Sequence, residues 1–287
     1  MTARQLAKGL AWPEGPAVLP DGSVAFVETY ASHLGCWSPT DGYRVLADTG
    51  GGPNAVQLGS DGYLYCCQNG GVVGPWRAEE MRPPSIQRVS LDGDVEIVAT
   101  EIDGLALRAP NDLAFGADGR LYFTDPGGSY DPENRPDPGR IFALAKDGTG
   151  ELVAELPHVY PNGIVVEADG AVVWVESYTR AVRRRALDGT VTEVAVLAEG
   201  HVPDGLAVAG NGDLYVTTVT SGGIDVLGSD GTARAFVPTG AVPTNCCFDG
   251  TTLYVTDGGR PGETADAGHG GVLWALDAPT PGLPLFA

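Results

Sequence analysis

Oxygen-bearing side chains recur at one repeated position of the chain, directly after a proline. The residues at this position are Glu14, Asn54, Asn111, Asn162, Asp204 and the Thr244-Asn245 pair. Carboxylate and carboxamide oxygens are hard ligands that suit Ca²⁺, Mg²⁺ or Mn²⁺, whereas a structural zinc site would use Cys or His. If these side chains meet in space, the two carboxylates would balance the charge of one divalent cation.

The same residue types also have a simpler use in turns. Asn and Asp before Gly commonly bond to their own backbone and tolerate positive φ, which would explain Asn162-Gly163 and Asp204-Gly205. Glu14, however, is a poor turn former, and Asn111 is not followed by Gly. Both occupy the same place in the repeat, which favours a ring of ligands over a set of unrelated turns.

Each of these residues opens a longer repeated phrase. A proline is followed by an apolar run, a tight turn that usually contains Asp-Gly or Asn-Gly, and a second apolar run. Successive starting prolines are 40, 57, 51, 42 and 40 residues apart. Such a period indicates one supersecondary unit that must stack on its neighbours to bury its apolar face. Two β-rich runs around a Gly-containing turn predict an antiparallel hairpin.

Further strands are expected in most units, including residues 139–144, 151–155 and 181–187. About four strands per unit is the count of a propeller blade. The sequence therefore predicts an all-β, six-bladed β-propeller that forms a single domain over residues 1–287. We expect the last blade to take its outer strand from residues 5–11 rather than 283–287, because strands from both chain ends would then hold the ring closed.

The propeller explains how the repeated polar position could form a site. Each innermost strand lines the central channel, and pseudosymmetry carries equivalent positions to equivalent heights around the axis. The residue after each starting proline lies where the chain enters that strand. We therefore expect the polar residues to form a ring at one mouth of the channel.

Composition limits the possible partners and the compartment. The net charge of −20 would repel nucleic acid and anionic membrane surfaces, so a small-molecule substrate is expected instead. No apolar run approaches the roughly 20 residues of a membrane span, and residues 1–15 lack the apolar core of a signal peptide. We expect a cytoplasmic protein.

The five cysteines fit that expectation. Cys66-Cys67 and Cys246-Cys247 are adjacent pairs, and Cys36 stands alone. Neighbouring residues on a strand point to opposite faces, so an adjacent pair is poorly placed to bind one metal. We interpret all five as small buried hydrophobic residues in a reducing compartment.

Several phrases taken together carry a family resemblance. PEGP, RAPND, LYFTDPGG, PNG, PDG and PTN occur in this order over about 245 residues. In this the chain resembles the SMP-30/gluconolactonase/LRE-like family of six-bladed propellers. The resemblance implies one divalent ion on the channel axis, held by Glu14, Asn162 and Asp204. It also implies that Asn111 approaches the metal or substrate and that Arg108 contacts substrate oxygens.

The resemblance also implies an activity. Family members are mainly lactonases that act on sugar lactones, while some relatives hydrolyse organophosphates. The chain departs from the common pattern at Ala209, where many members have Asp, and at residues 167–170, where many have Ser-Pro-Asp-Gly. Neither departure touches the expected ligands, so they concern the substrate rather than the metal.

These inferences combine into a hypothesis for the reaction. The metal, Ca²⁺ in the first place with Zn²⁺, Mn²⁺, Mg²⁺ or Fe²⁺ as alternatives, acts as a Lewis acid on a lactone carbonyl that is attacked by water. Asp204 is the expected general base, with His158 or His201 as the alternative because each lies just before a ligand motif. The expected substrate contacts are Arg108, Asn54 and Asn111, with further candidates at Tyr160, Trp76 and Tyr130.

Three other functions stay open on the sequence. The same metal site could act on another carbonyl or phosphoryl ester, or calcium could merely stabilise a ligand-binding propeller without catalysis. A metal-free condensing enzyme like the strictosidine synthases would also have six blades, but it would not need the three expected ligands. No Gly-x-Ser-x-Gly elbow or phosphate-binding Gly loop competes with the metal site.

Overall fold

The computed structural model describes residues 2–259, 270–284 and 286 of the chain. Over these residues the chain forms six four-stranded antiparallel sheets arranged as the blades of a propeller, which confirms the predicted fold class. One 3₁₀ turn, Thr29–Ala31, is also present. No helix in the described part of the chain is long and apolar enough to cross a membrane.

Each blade is a meander of four consecutive strands, apart from the last. The chain begins with β1 (Ala3–Leu10), and blade 1 then comprises β2 (Pro13–Val18), β3 (Val24–Glu28), β4 (His33–Ser38) and β5 (Gly42–Asp48). In blade 2 a two-stranded hairpin, β8 (Val72–Val73) and β9 (Trp76–Arg77), is inserted between the second and third strands. The four strands of the blade are β6 (Pro53–Leu58), β7 (Leu64–Gln68), β10 (Ser85–Val89) and β11 (Val95–Ala99).

The next two blades follow the same plan. A second small hairpin precedes blade 3 and consists of β12 (Glu101–Ile102) and β13 (Leu105–Ala106). Blade 3 comprises β14 (Leu113–Phe115), β15 (Leu121–Asp125), β16 (Arg140–Leu144) and β17 (Gly150–Glu155). Blade 4 comprises β18 (Pro161–Val166), β19 (Val172–Glu176), β20 (Ala181–Arg185) and β21 (Val191–Val196).

The ring closes in the sixth blade. Blade 5 comprises β22 (Pro203–Val208), β23 (Leu214–Thr218), β24 (Gly223–Leu227) and β25 (Ala233–Pro238). Blade 6 comprises β26 (Pro243–Asp249), β27 (Thr252–Asp257), β28 (Gly271–Asp277) and, as its outer strand, β1. Because both chain ends contribute to this blade, the closure expected from the sequence is confirmed.

The closing strand differs from the expectation only in its bounds. β1 pairs with β28 from Ala3 opposite Leu276 to Leu10 opposite Gly271. Of the alternative segment, residues 285 and 287 lie outside the described residues. The described Leu283 donates its backbone N–H to the carbonyl of Val208 at 2.9 Å, so it crosses to blade 5 rather than joining the sheet of blade 6.

The hydrophobic core lies between neighbouring blades, and the cysteines show its layering. Cys66 packs among residues of blades 1 and 2, while Cys67 packs against residues of blades 2 and 3. Cys246 and Cys247 likewise face opposite sides of blade 6. All five cysteines are buried free thiols, as predicted. Adjacent residues of one strand therefore pack into the two different hydrophobic layers on either side of the blade.

At every junction between blades, a side-chain hydrogen bond links one blade to the start of the next innermost strand. In each case a side chain donates to a backbone carbonyl at the start of the next blade, over 2.7–3.2 Å. The six donor–acceptor pairs are Thr29–Pro53, Asn54–Asn111, Thr124–Asn162, Ser177–Pro203, Thr217–Thr244 and Thr244–Pro13. These bonds satisfy buried carbonyls and fix the heights of the inner strands relative to one another.

Candidate functional site

The repeated polar position lies at the entrance of the innermost strands, as the sequence predicted. Five of the six inner strands begin at the starting proline itself, and only β14 begins later, at Leu113. In that blade the preceding segment is held by backbone hydrogen bonds from Asn111 to Thr124 (2.9 Å) and from Thr124 to Asp112 (3.0 Å). The polar side chains thus reach one end of the channel from five of the six blades.

Five of these residues line one open cleft of about 480 Å³ at that end of the channel. They are Glu14, Asn54, Asn111, Asn162 and Asp204. The sixth position behaves differently, because the Thr244 hydroxyl donates to the carbonyl of Pro13 and contacts the Thr256 hydroxyl at 2.9 Å. Thr244 is therefore part of the frame that closes the ring rather than of the site.

The two carboxylates of the ring accept few hydrogen bonds. Oε2 of Glu14 accepts one from the backbone N–H of Gly15 at 3.1 Å. Oδ1 of Asp204 accepts one from Nδ2 of Asn162 at 2.5 Å, and the same Nδ2 lies 3.2 Å from the Ser177 hydroxyl. Glu14 is buried, while Asp204 is partly exposed to the cleft. Both side chains thus keep acceptor capacity for a ligand.

The environment disfavours negative charge on these groups. Burial raises the pKa of Glu14 well above its usual range, and the charges of Asp204 and Asp112 add to the effect. Burial, together with the charge of Asp112, also raises the pKa of Asp204 to about 7. No Lys or Arg is among the described residues that line the cleft. The site therefore has an excess of negative charge that a bound cation would balance.

Beneath the ring, two side chains from opposite blades meet across the channel axis. Nδ2 of Asn245 in blade 6 donates to Oδ2 of Asp112 in blade 3 at 3.2 Å. Asp112 also accepts backbone hydrogen bonds from Leu113 (2.8 Å) and Ile164 (3.3 Å). Burial raises the pKa of Asp112 to about 6. This pair forms the floor of the site.

Small residues in the other four blades leave room for that floor. The positions equivalent to Asp112 and Asn245 are occupied by Gly15, Ala55, Gly163 and Gly205. A Cβ on Gly205 would lie 2.2 Å from Oδ1 of Asn245, and one on Gly163 would lie 2.6 Å from the carbonyl oxygen of Asp204. This floor was not predicted from the sequence. The pattern that could have indicated it is a carboxylate and a carboxamide at the position where the other four copies of the repeat have Gly or Ala.

The donors of the ring fit a divalent cation that prefers oxygen. Oδ1 of Asn111 is buried and has no hydrogen-bond partner among the described residues, so it is an acceptor without a donor. Two carboxylates and a further carboxamide, Asn162, lie in the same cleft. No group of three His, Cys, Asp or Glu side chains in the described part of the chain is arranged to hold a metal. A cation here would therefore need the carboxamide oxygens as ligands.

Three residues singled out by the sequence lie away from the cleft lining. The guanidinium of Arg108 forms an ion pair with Asp137, and its side chain is 35% exposed. Nδ1 of His158 lies 2.6 Å from the carbonyl of Arg135, and Nδ1 of His201 lies 2.7 Å from Asp225. None of the three is among the described residues that line the cleft. This placement favours Asp204 over either histidine as the base, and a substrate role for Arg108 stays a prediction.

Aromatic rings form the upper walls of the cleft. Trp12, Tyr30, Tyr130 and Tyr160 all line it. Trp12 stacks on Tyr30 with ring centroids 5.4 Å apart, and Tyr130 meets Tyr160 edge to face at 5.1 Å. Trp76 does not itself line the cleft but packs on Tyr30 at 5.0 Å. The site thus has a polar floor and apolar walls.

Comparisons with known proteins agree with this architecture. A family model described as the SMP-30/gluconolactonase/LRE-like region matches residues 12–258. The chain is 25% identical to a gluconolactonase of Zymomonas mobilis subsp. mobilis, over 88% of this chain and 77% of that protein.

Solved structures show the same fold. A gluconolactonase structure from Xanthomonas campestris superposes with a TM-score of 0.78 at 24% identity, covering 96% of this chain and 89% of that one. The calcium-binding protein regucalcin from Agrobacterium tumefaciens superposes with a TM-score of 0.80 at 19% identity, covering 100% and 97%.

Proposed function

The chain belongs to the SMP-30/gluconolactonase/LRE-like family, and we propose that it is a metal-dependent lactonase, a hydrolase that opens a lactone ring. The similarity to a gluconolactonase supports the reaction type. The observation that carries the proposal is the pair of ring carboxylates, buried Glu14 and partly exposed Asp204, which lie with Asn162 and the unpaired Oδ1 of Asn111 at the base of an open cleft.

Glu14, Asn162 and Asp204 would hold the cation, with the unpaired Oδ1 of Asn111 directed to the cation or the substrate. A divalent cation supplies positive charge that polarises a carbonyl group and lowers the pKa of water. We propose Ca²⁺ first, because every donor is a hard oxygen and two of them are neutral carboxamides. Mn²⁺, Mg²⁺, Zn²⁺ and Fe²⁺ are alternatives that a metal analysis would separate.

Asp204 is the proposed general base. Its Oδ1 is held by Asn162 at 2.5 Å, which fixes the carboxylate and leaves Oδ2 able to accept a proton from water. The oxygen of that water forms a bond to the carbonyl carbon, and the ring C–O bond breaks. The proton taken up by Asp204 then passes to the departing alkoxide, so the product is a hydroxy acid.

Three residues are proposed to hold the substrate. Asn54 and Asn111 line the cleft, although Nδ2 of Asn54 is already bonded to the carbonyl of Asn111 at 3.2 Å. Its Oδ1 therefore provides the contact to a substrate hydroxyl. Arg108 would have to leave Asp137 to reach a substrate oxygen, so its contribution is the weakest of the three.

A panel of lactones tests the proposal. Purified protein supplied with Ca²⁺, Mn²⁺, Zn²⁺ or Fe²⁺ should release protons from at least one sugar or aliphatic lactone, and Asp204→Asn should abolish this turnover. The matched control is Asp230→Asn, which alters a fully exposed turn carboxylate and should leave turnover unchanged. Absence of turnover with every metal and lactone would end the lactonase proposal.

We further propose a cytoplasmic location and a small-molecule substrate as the partner of the cleft. All five cysteines are buried free thiols, which suits a reducing compartment. Cell fractionation checks the location, and recovery of the protein outside the cytoplasmic fraction would contradict it.

A further inference from the structure

Two aromatic pairs lie on opposite blades of the ring. Trp12 and Tyr30 belong to blade 1, whereas Tyr160 and Tyr178 belong to blade 4, and blades 1 and 4 are opposite in a ring of six. The pairs occupy equivalent positions of the repeat. Trp12 and Tyr160 directly precede the starting proline, while Tyr30 and Tyr178 each follow the end of the second strand by two residues.

The backbone at these two positions is held in an unfavourable conformation. Trp12 has φ of 58° and Tyr160 has φ of 55°, in the left-handed region that bulky residues rarely adopt. The Trp12 carbonyl accepts a backbone hydrogen bond from Thr29 at 3.1 Å and the Tyr160 carbonyl accepts one from Ser177 at 3.0 Å, as the carbonyls of Gly52, Val202 and Val242 do in their blades. Blades 1 and 4 add a second bond beside it, from Tyr30 to the Ala11 carbonyl and from Tyr178 to the Val159 carbonyl, each at 3.1 Å.

Equivalent positions in the other four blades share neither the aromatic ring nor the positive φ. They are Gly52, Ala109, Val202 and Val242. Two aromatic residues are thus held in a strained conformation on opposite sides of the channel, and nowhere else in the repeat. Strain of this kind is retained where a particular side-chain placement matters, so the placement calls for a functional reason.

Long loops extend each aromatic pair. Trp76 packs on Tyr30 with centroids 5.0 Å apart, and Tyr130 packs on Tyr160 and Tyr178 at 5.1 and 5.2 Å. The rest of the described upper wall is apolar and consists of Val73, Pro75, Val202, Val219 and Val242. Apart from tyrosine hydroxyl groups and the hydroxyl of Ser177, which donates to the Pro203 carbonyl, the polar side chains of the cleft are concentrated in the ring at its base.

We propose that this cleft selects neutral lactones that carry an aromatic or alkyl substituent, and that Trp12 and Tyr160 determine this specificity. The inference rests on the proposed lactonase function and names the substrate class of the same site. An apolar substituent between the two walls gains burial and ring contacts. The several hydroxyl groups of a sugar lactone would lose water against the apolar walls, where Oδ1 of Asn54 and the tyrosine hydroxyl groups could replace only part of it. An anionic substituent would meet no basic side chain among the described lining residues.

Three δ-lactones with the same ring test the proposal. They are δ-valerolactone, δ-phenyl-δ-valerolactone and D-glucono-1,5-lactone, each with kcat/KM divided by its rate of alkaline hydrolysis. We expect the phenyl compound to exceed both others by about tenfold or more, the factor that burial of a ring provides. A higher normalised kcat/KM for the sugar lactone than for the phenyl compound would overturn the proposal and leave the lactonase function standing.

Substitutions of the walls locate the preference. Trp12→Gly and Tyr160→Gly each remove a ring, and glycine accepts the positive φ at both positions. Each should lower the phenyl preference about tenfold while changing kcat/KM for δ-valerolactone by less than about threefold. Phe236→Ala is the control, because Phe236 is 41% exposed on β25 and does not line the cleft. Equal losses on both substrates would contradict a role in specificity. Trp12→Leu, which keeps an apolar side chain, makes the same comparison if Trp12→Gly does not fold.

Binding measurements separate this inference from the lactonase proposal. The lactams that correspond to the phenyl and sugar lactones resist hydrolysis, and their Kd values can be compared by calorimetry on the full chain. Tighter binding of the phenyl lactam would support the inference even if no lactone were hydrolysed. Tighter binding of the sugar lactam would overturn it whatever the activity.

Discussion

The propeller buries two groups of carboxylates that differ in how completely they are hydrogen-bonded. Glu28, Asp125 and Asp257 lie at the end of the second strand of their blades. Each accepts at least three hydrogen bonds, which come mostly from backbone N–H groups for Asp125 and Asp257 and mostly from side chains for Glu28. Glu14 and Asp204, at the start of the first strands, each accept one well-formed hydrogen bond, with weaker contacts from Asn245 to Glu14 and between the two carboxyl groups.

This difference separates structure from function within one repeat. A buried carboxylate with a full set of donors is a fixed part of the frame, since its hydrogen bonds replace those of water. A buried carboxylate with few donors is costly unless a ligand supplies the missing positive charge. The second strand ends therefore anchor loops, and the first strand ends are available to bind a cation.

Asp112 lies between the two groups. It belongs to the channel, yet it accepts three hydrogen bonds, from Leu113, Ile164 and Asn245. Its charge still raises the pKa of both Glu14 and Asp204. The hydrogen bonds of Asp112 therefore resemble those of the frame carboxylates. Its negative charge acts on the two ring carboxylates and so favours the binding of a cation.

The largest expected effect is on activity. Glu14→Gln keeps the size of the side chain but removes one of the two ring charges. It should lower kcat/KM for lactone hydrolysis by about 10³-fold. Steady-state kinetics at saturating metal measures this, and retention of more than a tenth of the wild-type value would mean that Glu14 belongs with the frame carboxylates.

The corresponding change in the frame should act on stability instead. Asp257 accepts from the backbone of Ala241, Val242 and Gly259, each at 2.9 Å, and from Trp274 at 3.2 Å. In Asp257→Asn an amide N–H would face these donors, which should cost about 3 kcal/mol of unfolding free energy. Denaturant unfolding measures the loss. Turnover per folded molecule should be retained, and its disappearance at unchanged stability would reverse the assignment.

The contribution of Glu28 to the free energy of unfolding should depend on pH. Although burial would raise its pKa, hydrogen bonds from His33, Tyr43 and the Ala11 backbone lower it below the usual 4.5. A lowered pKa means that the ionised group stabilises the fold above about pH 4.5, and that this contribution fades as pH falls through the lower folded value. Glu28→Gln should therefore cost about 1–2 kcal/mol at pH 7 and progressively less in acid. A difference that does not shrink as the pH falls would contradict this.

The smallest effect is expected for the site carboxylate in metal-free protein. Asp204→Asn removes a charge that burial and the charge of Asp112 disfavour, and that hydrogen bonds from Asn162 and the Glu14 carboxyl group offset only in part. The metal-free variant should be as stable as the wild type or more stable by about 1 kcal/mol. Thermal unfolding in the presence of a chelator measures this. A loss as large as that of Asp257→Asn would show that Asp204 also belongs to the frame.

Much of the fold could be predicted from the sequence because the repeat is strong. The starting prolines mark where five of the six inner strands begin, and the strands expected at residues 139–144 and 151–155 are observed at Arg140–Leu144 and Gly150–Glu155. Blade 3 departs from the pattern because Asn111 and Asp112 are held by Thr124 before the strand begins. The sequence repeat thus predicted the positions of the six blades but not the later start of the first strand in blade 3.

The sequence predicted which positions of the repeat contribute to the site, but not the contacts between opposite blades. Five of the six residues that follow a starting proline do line one cleft, as expected from the pseudosymmetry, and Thr244 is the exception. The floor formed by Asp112 and Asn245 depends on contact between opposite blades 133 residues apart, which a local pattern does not reveal. The opposed aromatic walls depend on positive φ at Trp12 and Tyr160, and neither residue type signals that conformation.

Calorimetric titration of chelator-treated protein with Ca²⁺, and then with Mn²⁺, measures whether the channel ring binds a cation. We expect one ion per chain for the wild type and for Asp257→Asn, and none for Glu14→Gln or Asp204→Asn at the same concentrations. Binding that survives both ring substitutions, or that is lost only in Asp257→Asn, would contradict the assignment of the channel ring as the metal site.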